Sequence, residues 1–437
     1  MPKTFTFLHL SDIHFSHCSG DMYDLDQDLR NELDNDIKQL CDELQININA
    51  VFVTGDIAFS GKSLEYTTAD EWLNKLCKKL GCMPRNVWVT PGNHDVDRDL
   101  LKKSKHLREI HKNIRETEPE QVSSVITEYC RDKVFASGIY QPIEQYNLFA
   151  TQFGCEINPD NPCWEETELT KLDGEIELRL RGLNSVLISS DLDKPRDSHS
   201  PGNLVLGEFQ VPPKNMNVEY ITLCHHPINW NLNESKIDSY LNNRARIQLY
   251  GHTHEFQIQK CNGALRLNAG ALHPTRNHTS WGPRYNLVQV SVLTDKDLEM
   301  RVIIFPRKWN TQDHCFRSDD GNDNYSHTEI NLPLDYNGHS DCKDTANKTN
   351  ETTIQPKVRT PESSLEHETM REVVYRYLRL PFYEKVRIAK EFNLLENEDE
   401  NLRDIDKFKG VLERVKSQQL TSKFLEMIED TEKETGN

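Results

Sequence analysis

Residues 86–95 read NVWVTPGNHD, and this stretch decides how the rest of the chain is interpreted. Its first half is rich in β-branched and aromatic residues, which is typical of a strand. The strand ends at Gly92, which permits a tight turn that presents the side chains after it. The amide of Asn93 can bind a hard cation, His94 can donate a proton, and Asp95 can orient an imidazole. A satisfied polar turn is the alternative, but four specialised residues at the end of a strand favour a functional site.

The strand pattern recurs towards the start of the chain. Residues 4–10 (TFTFLHL) alternate in polarity, and residues 50–54 (AVFVT) are apolar throughout, as expected of a strand buried on both faces. Residues 25–44 and 64–80 carry apolar side chains at helical spacing. The order strand, helix, strand, helix, strand predicts parallel strands joined by right-handed crossovers, and therefore an α/β fold.

Four further polar clusters each follow a predicted strand. They are Asp12-x-His14, Gly55-Asp56, His225-His226-Pro227 and Gly251-His252-x-His254. Taken singly, each has an ordinary explanation, such as a surface polar pair or a turn cap. Ligands of open α/β sheets bind beyond the carboxyl ends of the strands, so all the clusters are expected to meet at one edge. The mixture of carboxylate, amide and imidazole suits Mn²⁺, Fe or Zn²⁺, and its size predicts two ions that share a bridging carboxylate.

The remaining sequence divides by composition. Residues 96–173 are charged and helical in pattern, which predicts an insertion or cap within a catalytic domain at 1–308. Seven further strands are predicted, at residues 175–181, 185–189, 219–223, 246–250, 264–268, 286–292 and 299–305. Residues 309–360 are polar with little periodicity and predict a loop or linker. Apolar stripes then return in 361–437, which predicts a small helical tail domain that can serve as an adaptor.

The charge and the cysteine content limit the classes of function and the cellular location that are expected for the protein. The formal net charge of the 437 residues is −18, and such a surface repels polyanions over long range. This disfavours broad nucleic-acid binding but allows a local metal-filled pocket. The eleven cysteines form no CxxC pair, no leader-like segment follows Met1, and no apolar run approaches the ~20 residues that span a bilayer. These features predict a cytoplasmic protein without a membrane partner.

The motif series DxH, GD, GNHD, HH and GHTH resembles that of the calcineurin-like metallophosphoesterase superfamily over roughly residues 4–305. Residues 182–185 (GLNS) and the His225-His226-Pro227 cluster are most similar to the cyclic-nucleotide phosphodiesterase branch. The resemblance implies a four-layer α/β/β/α sandwich with a dinuclear metal centre. In this chain the sandwich is expected to carry a helical insertion and a small C-terminal helical domain.

The resemblance also implies roles for individual residues. The metal ligands would be Asp12, His14 and His254 for one ion, Asn93, His225 and His252 for the other, and Asp56 as the bridge between them. His225 is preferred to His226 because related sites read His-x-Pro. His94 would meet the leaving group and Asp95 would be its partner.

The implied activity is the hydrolysis of a phosphodiester by a hydroxide that two divalent ions share, with manganese or iron favoured and zinc as an alternative. A nucleotide or cyclic nucleotide is the favoured substrate, because the net charge favours a small one. A nuclease or a phosphomonoesterase would use nearly the same residues and stays open. A different class of function is a signalling module in which residues 361–437 dock a protein partner.

Overall fold

This computed structural model of the protein describes residues 2–16, 25–273, 282–294, 298–319, 325–334 and 361–435. The chain forms two compact units, one of Met1–Thr151 with Cys155–Leu334 and one of Gln152–Gly154 with Asp335–Asn437. The strands of the first unit are β1 (Thr4–Leu10), β2 (Ala50–Thr54), β3 (Val87–Thr90), β4 (Trp164–Lys171), β5 (Glu177–Gly182), β6 (Val218–Cys224), β7 (Ile247–Tyr250), β8 (Phe256–Cys261), β9 (Ala264–Ala269), β10 (Arg284–Leu293), β11 (Glu299–Asn310), β12 (Cys315–Ser318) and β13 (Thr328–Pro333). Its α-helices are α1 (Leu25–Leu44), α2 (Ser63–Leu80), α3 (Arg98–Lys103), α4 (Lys105–Arg115), α5 (Val122–Arg131), α6 (Lys133–Tyr140), α7 (Glu144–Ala150) and α8 (Glu234–Arg244).

The strands form two sheets. The first has the order β12-β11-β10-β1-β2-β3, with β13 also paired to β11, and the second has the order β4-β5-β6-β7-β9-β8. Strands β1, β2 and β3 are parallel, as the sequence predicts, and so are β5, β6, β7 and β9. The parallel strands of each sheet therefore end at a common edge, which is where the polar clusters lie.

Aromatic and aliphatic side chains fill the interior of the first sheet. The rings of Phe7 and Phe52 lie 4.5 Å apart on neighbouring strands, and Trp88 on β3 continues the row at 5.8 Å from Phe52. All three are nearly inaccessible to water. The indole Nε1 of Trp164 on β4 donates to the carbonyl oxygen of Val89 on β3 at 2.9 Å, which links the two sheets directly. Burial of this apolar surface stabilises the packed sheets.

Helices cover the outer faces of both sheets. On the second sheet, Ile237 and Leu241 of α8 pack with Tyr220 of β6 and Tyr250 of β7. On the first sheet, α1 is held by an ion pair between Asp36 and the buried Arg307 of β11, whose Nη2 lies 2.6 Å from Oδ1 of Asp36. Helix, sheet, sheet and helix thus form the four-layer α/β/β/α sandwich, and the predicted fold class is confirmed.

Three sequence-based expectations differ from the structure. Residues 185–189 were expected to form a strand from their apolar character, but they form a buried loop in which Asn184 Oδ1 accepts from the backbone nitrogen of Val186. The segment 96–173 holds helices α3 to α7 but also the edge strand β4, whose polar side chains hide its pattern. The segment 309–360, expected to be a linker, contains β12 and β13, which are too short and polar to stand out; residues 335–360 lie outside the described part.

The second unit is a small helical domain. Its helices are α9 (Pro361–Arg379), α10 (Phe382–Glu391), α11 (Asp404–Ser417) and α12 (Thr421–Thr435). Their shared core includes residues of the predicted apolar stripes, namely Val373, Tyr377, Val411, Leu412, Val415, Phe424 and Ile428. The predicted C-terminal helical domain is confirmed. Among the described helices of both units, none combines the length and apolar character needed to cross a membrane.

Candidate metal centre

All the predicted ligand residues lie just beyond the carboxyl ends of parallel strands. Asp12 and His14 follow β1, Asp56 follows β2, Asn93 follows β3, His225 follows β6, and His252 and His254 follow β7. The structure brings their side chains together in overlapping groups whose ligand atoms lie within 4.8 Å of one another: Asp12 with His14 and His254, Asp12 with Asp56 and His225, and His225 with His226 and His252. Asn93 joins them through His225, as described below. The predicted convergence at one rim is therefore present.

Asp56 occupies the middle of the cluster. Its Oδ2 lies 3.3 Å from Nε2 of His14 and 3.3 Å from Nε2 of His225, which approach from opposite halves of the site. Its Oδ1 accepts a hydrogen bond of 2.7 Å from the backbone nitrogen of His94. A carboxylate held at one oxygen and shared at the other between two imidazoles has the geometry expected of a bridging ligand.

Two smaller groups flank Asp56. On one side, Oδ1 of Asp12 lies 3.2 Å from Nε2 of His254. On the other side, Nε2 of His225 lies 3.1 Å from Oδ1 of Asn93, and the rings of His225 and His252 have centroids 5.1 Å apart. The arrangement offers two neighbouring sets of nitrogen and oxygen donors.

Backbone carbonyl groups fix how two of the imidazoles point. Nδ1 of His225 donates to the carbonyl oxygen of Thr54 at 2.8 Å, and Nδ1 of His14 donates to the carbonyl oxygen of His273 at 3.2 Å. Each bond places the proton on Nδ1 and leaves the lone pair of Nε2 for a metal ion. Sequence motifs could not reveal these partners, because any residue can supply a carbonyl.

Asp12 is oriented in a similar way. Its Oδ2 accepts hydrogen bonds from Oγ of Ser11 at 2.6 Å and from the backbone nitrogen of His252 at 3.0 Å. Its Oδ1 is buried and has no hydrogen-bond donor in the described structure. One oxygen is thus used to position the side chain, and the other faces the cluster.

The electrostatics of the cluster favour positive charge beside its two carboxylates. Asp12 and Asp56 are 0% and 1% exposed, and among the described residues only histidines lie within ion-pair distance of them. Burial lowers the pKa of His225, but the charge and hydrogen bond of Asp56, the charge of Asp12 and the carbonyl of Thr54 together outweigh that effect and raise the pKa to about 9. Buried carboxylates are costly unless they are paired or bind a metal. The residues present therefore fit a pair of divalent cations.

The backbone is strained at the same residues. Asp12, His14, Asp56, His252 and His254 all adopt left-handed φ values, between 52° and 67°. Each such residue costs roughly 1–3 kcal/mol, and such residues cluster where function requires an unusual side-chain direction. Because five candidate ligands share this strain, local backbone preferences do not explain the conformation of the site. The packing of the whole fold must hold these residues in place.

Two motif glycines allow the close approach of these loops. A Cβ at Gly92 would lie 2.2 Å from Oδ1 of Asp56, and a Cβ at Gly251 would lie 2.0 Å from Oγ of Ser11 and 3.0 Å from Oδ2 of Asp12. No rotamer change at these positions could relieve contacts that involve Cβ itself. The glycines are thus required by side chains from other strands.

Asp95 does not orient the imidazole of His94, which corrects the role implied by the sequence. Its buried carboxylate accepts hydrogen bonds from the backbone nitrogens of Gly92, Ile57 and Ala58 and from the hydroxyl of Tyr66, at 2.8–3.2 Å. Burial, and next the charge of Asp56, raise the pKa of Asp95 to about 6. The side chain therefore ties together the loops after β2 and β3.

His94 is oriented by a different group. Its Nδ1 donates to the carbonyl oxygen of Phe59 at 2.7 Å, and its ring centroid lies 4.8 Å from that of His14. Neither Phe59 nor Tyr66 belongs to a motif, so no sequence pattern points to them. His94 itself lies beside the cluster, where the sequence predicts it.

His226 lies behind the candidate ligands. It is fully buried, its Nδ1 is 2.9 Å from Oγ of Ser185, and its Nε2 has no hydrogen-bond partner in the described structure. Its ring centroid is 4.4 Å from that of His252 and 5.5 Å from that of Trp230, and the ring of Trp230 meets His252 edge-on at 4.2 Å. His226, Trp230 and His252 thus pack against one another as three mutually contacting rings.

Comparison with known proteins agrees with this geometry. The model of the family described as calcineurin-like phosphoesterase matches residues 5–256, more than half of the chain. The chain belongs to this family. A second family model, described as a GTPase-associated adaptor domain, matches residues 369–430.

The chain resembles one curated protein and two solved structures at a distance. The uncharacterized metallophosphoesterase-like protein YydB of Bacillus subtilis is 32% identical over 103 residues, which are 22% of this chain and only 18% of that protein. Among solved structures, a predicted phosphoesterase of Streptococcus pneumoniae is 14% identical, with 75% of this chain and 98% of that chain covered and a TM-score of 0.29. GAP50 of Plasmodium is 10% identical, with coverages of 76% and 90% and a TM-score of 0.37.

We expect the substitution Gly92→Ala to reduce metal binding by the phosphoesterase. The added methyl group would displace the carboxylate of Asp56, so bound manganese should fall from about two ions per chain to fewer than one after dialysis. Elemental analysis of the purified variant measures this directly. Gly410→Ala in α11 is the matched control, since its Cβ would meet only the flexible end of Arg414, and it should leave the metal content unchanged. Full metal retention by Gly92→Ala would contradict the proposed bridge.

Proposed function

We propose that this phosphoesterase binds two divalent cations and hydrolyses a phosphodiester of a nucleotide or cyclic nucleotide. The observation that carries the proposal is the position of Asp56 Oδ2, at 3.3 Å from Nε2 of both His14 and His225. A shared carboxylate between two donor sets is what a dinuclear centre needs. The proposed ligands are those implied by the sequence, with Asp12, His14 and His254 on one ion and Asn93, His225 and His252 on the other.

The chemistry follows from the donor set. Two divalent cations supply Lewis-acid activation of a phosphoryl group and of a water molecule when they are bound. Oxygen and imidazole donors suit manganese or iron, and zinc is an alternative. The backbone contacts of His14 and His225 pre-orient both rings, so little reorganisation is needed during the reaction.

His94 is the proposed group for the departing alcohol. Its Nδ1 donates its proton to the carbonyl oxygen of Phe59, so Nε2 is the nitrogen free to meet the leaving oxygen, and in the protonated ring Nε2 carries the proton that is transferred. Asp95 acts indirectly, because it joins the loops that carry Asp56 and His94. It is therefore proposed as a positioning residue and not as a catalytic partner of the imidazole.

The charge of the protein supports a small substrate. A formal net charge of −18 disfavours a long polyanion, although a nuclease or a phosphomonoesterase would need nearly the same site. The nine described cysteines are free thiols, which is consistent with the predicted cytoplasmic location. The net charge, and not the metal site, therefore favours a small nucleotide diester over nucleic acid.

The proposed function predicts manganese-dependent turnover with a preference for diesters. We expect the reconstituted protein to hydrolyse bis-p-nitrophenyl phosphate and cyclic AMP at least tenfold more efficiently than p-nitrophenyl phosphate and single-stranded DNA, as measured by kcat/KM. Dialysis against a chelator should abolish all of these activities, and manganese should restore them. A preference for p-nitrophenyl phosphate would indicate a monoesterase, and a preference for DNA would indicate a nuclease.

The substitution His94→Ala should slow esters with poor leaving groups most. Loss of a proton donor costs about 10²–10⁴-fold in rate when the alcohol is a weak acid, and much less when it departs as a stable phenolate. The measurement is the ratio of the wild-type kcat to the His94→Ala kcat, determined once with cyclic AMP and once with bis-p-nitrophenyl phosphate. His106→Ala, on the exposed surface of α4, is the matched control. Equal losses on both substrates would argue against this role for His94.

A second candidate function rests on the match of residues 369–430 to the GTPase-associated adaptor domain. We propose that the C-terminal unit docks a protein partner, for which the phosphoesterase serves as effector. The unit has its own hydrophobic core, and all the proposed metal ligands lie in the first unit.

A chain that ends at Thr360 should therefore keep its manganese content and its kcat/KM within about twofold of the full chain. Elemental analysis and hydrolysis of bis-p-nitrophenyl phosphate give the two readouts. Loss of folding in the shortened chain would make the tail part of the catalytic core and contradict a docking role.

A further inference from the structure

An exposed aromatic ring borders the proposed catalytic residues. Phe59 is 53% exposed, and its ring centroid lies 5.3 Å from that of His94 and 6.2 Å from that of His14. The two histidine rings are themselves 4.8 Å apart. A large apolar surface thus faces solvent directly beside the group proposed to meet the leaving alcohol.

The backbone around this ring is firmly held. The backbone nitrogen of Phe59 donates to the carbonyl oxygen of Phe15 at 3.0 Å, and its carbonyl oxygen accepts from Nδ1 of His94 at 2.7 Å. The preceding residue, Ala58, donates to Oδ1 of Asp95 at 2.9 Å. The position of the ring is therefore set by the same contacts that set His94.

A single exposed phenylalanine is ordinary on a protein surface and needs no explanation by itself. Phe59 differs because its fixed backbone carries the carbonyl that orients His94. A ligand group that stacks on the ring would lie on the leaving-group side of the phosphate. A pre-positioned aromatic ring can bind a base without a further loss of backbone entropy.

We propose that Phe59 is a stacking platform for an aromatic group on the departing alcohol, so that the site selects nucleoside esters over glycerol or sugar phosphate esters. The inference rests on the proposed function and narrows its substrate class. Stacking of a base on an aromatic side chain is sequence-tolerant, because every base has a π face. Phe59 would therefore select for the presence of a base and not for its identity.

The test compares two ligands that differ only in the base. They are the methylene phosphonate analogues of AMP and of ribose 5-phosphate, in which a CH₂ group replaces the bridging oxygen so that neither is consumed. Calorimetry with the manganese-loaded full chain gives both Kd values. Phe59→Ala should raise the Kd of the AMP analogue about 5- to 150-fold, as is typical for a lost base stack, and change that of the ribose analogue less than about twofold.

Phe59→Trp should keep the Kd of the AMP analogue within about threefold of the wild type, because the π face is retained. Met83→Ala is the matched control: Met83 is 54% exposed but precedes β3, at the opposite edge of the sheet, and its loss should change neither Kd. The manganese content and circular dichroism of each variant verify that the site is intact.

The inference is overturned if Phe59→Ala weakens both ligands equally, or if the wild-type protein binds the AMP analogue no more tightly than the ribose analogue. Failure of the proposed function would look different. It would appear as an absence of manganese-dependent hydrolysis of bis-p-nitrophenyl phosphate by the wild-type protein, whatever the binding data show.

Discussion

The burial of two carboxylates at the rim of the paired sheets is the constraint on which the site depends. Asp12 and Asp56 are almost inaccessible to water, and in the described structure only imidazoles approach them closely enough to form ion pairs. Such charges destabilise a fold unless cations accompany them. The surrounding structure fits a site for cations. Backbone carbonyl oxygens orient the histidines, and the close contacts between loops leave room only for glycine at positions 92 and 251.

The same constraint explains where strain is stored. Left-handed backbone at five candidate ligands is tolerated because the ends of buried parallel strands are fixed by the sheets behind them. Asp95 helps to hold the strained loops by joining those after β2 and β3, and the carbonyl oxygen of Phe59 orients His94. The apolar sheets therefore stabilise the fold, and the strained rim carries the candidate metal ligands.

Much of the fold was predictable because strong patterns lie in its centre. The alternating or wholly apolar runs at β1, β2 and β3 favour buried strands, and the residues that follow parallel strands share an edge. Prediction failed at the periphery. Strands β4, β12 and β13 lie at sheet edges and carry many polar side chains, so their formation depends on neighbours already in place. The prediction for residues 185–189 was wrong in the opposite way. Their apolar character predicted a strand, but beyond the end of β5 they form a buried loop.

For the site, the sequence by itself determined the candidate donors, because side chains such as those of Asp56 and His225 offer metal-binding atoms and each follows a recognisable strand. Tertiary structure decided which atoms of those side chains face the cluster. The carbonyl oxygens of Thr54, Phe59 and His273 select the tautomers, yet a carbonyl has no signature in a sequence. Tertiary structure also decided that the carboxylate of Asp95 binds backbone nitrogens of the loops and not the imidazole of His94. A buried carboxylate accepts hydrogen bonds from whichever donors the packed fold brings within reach.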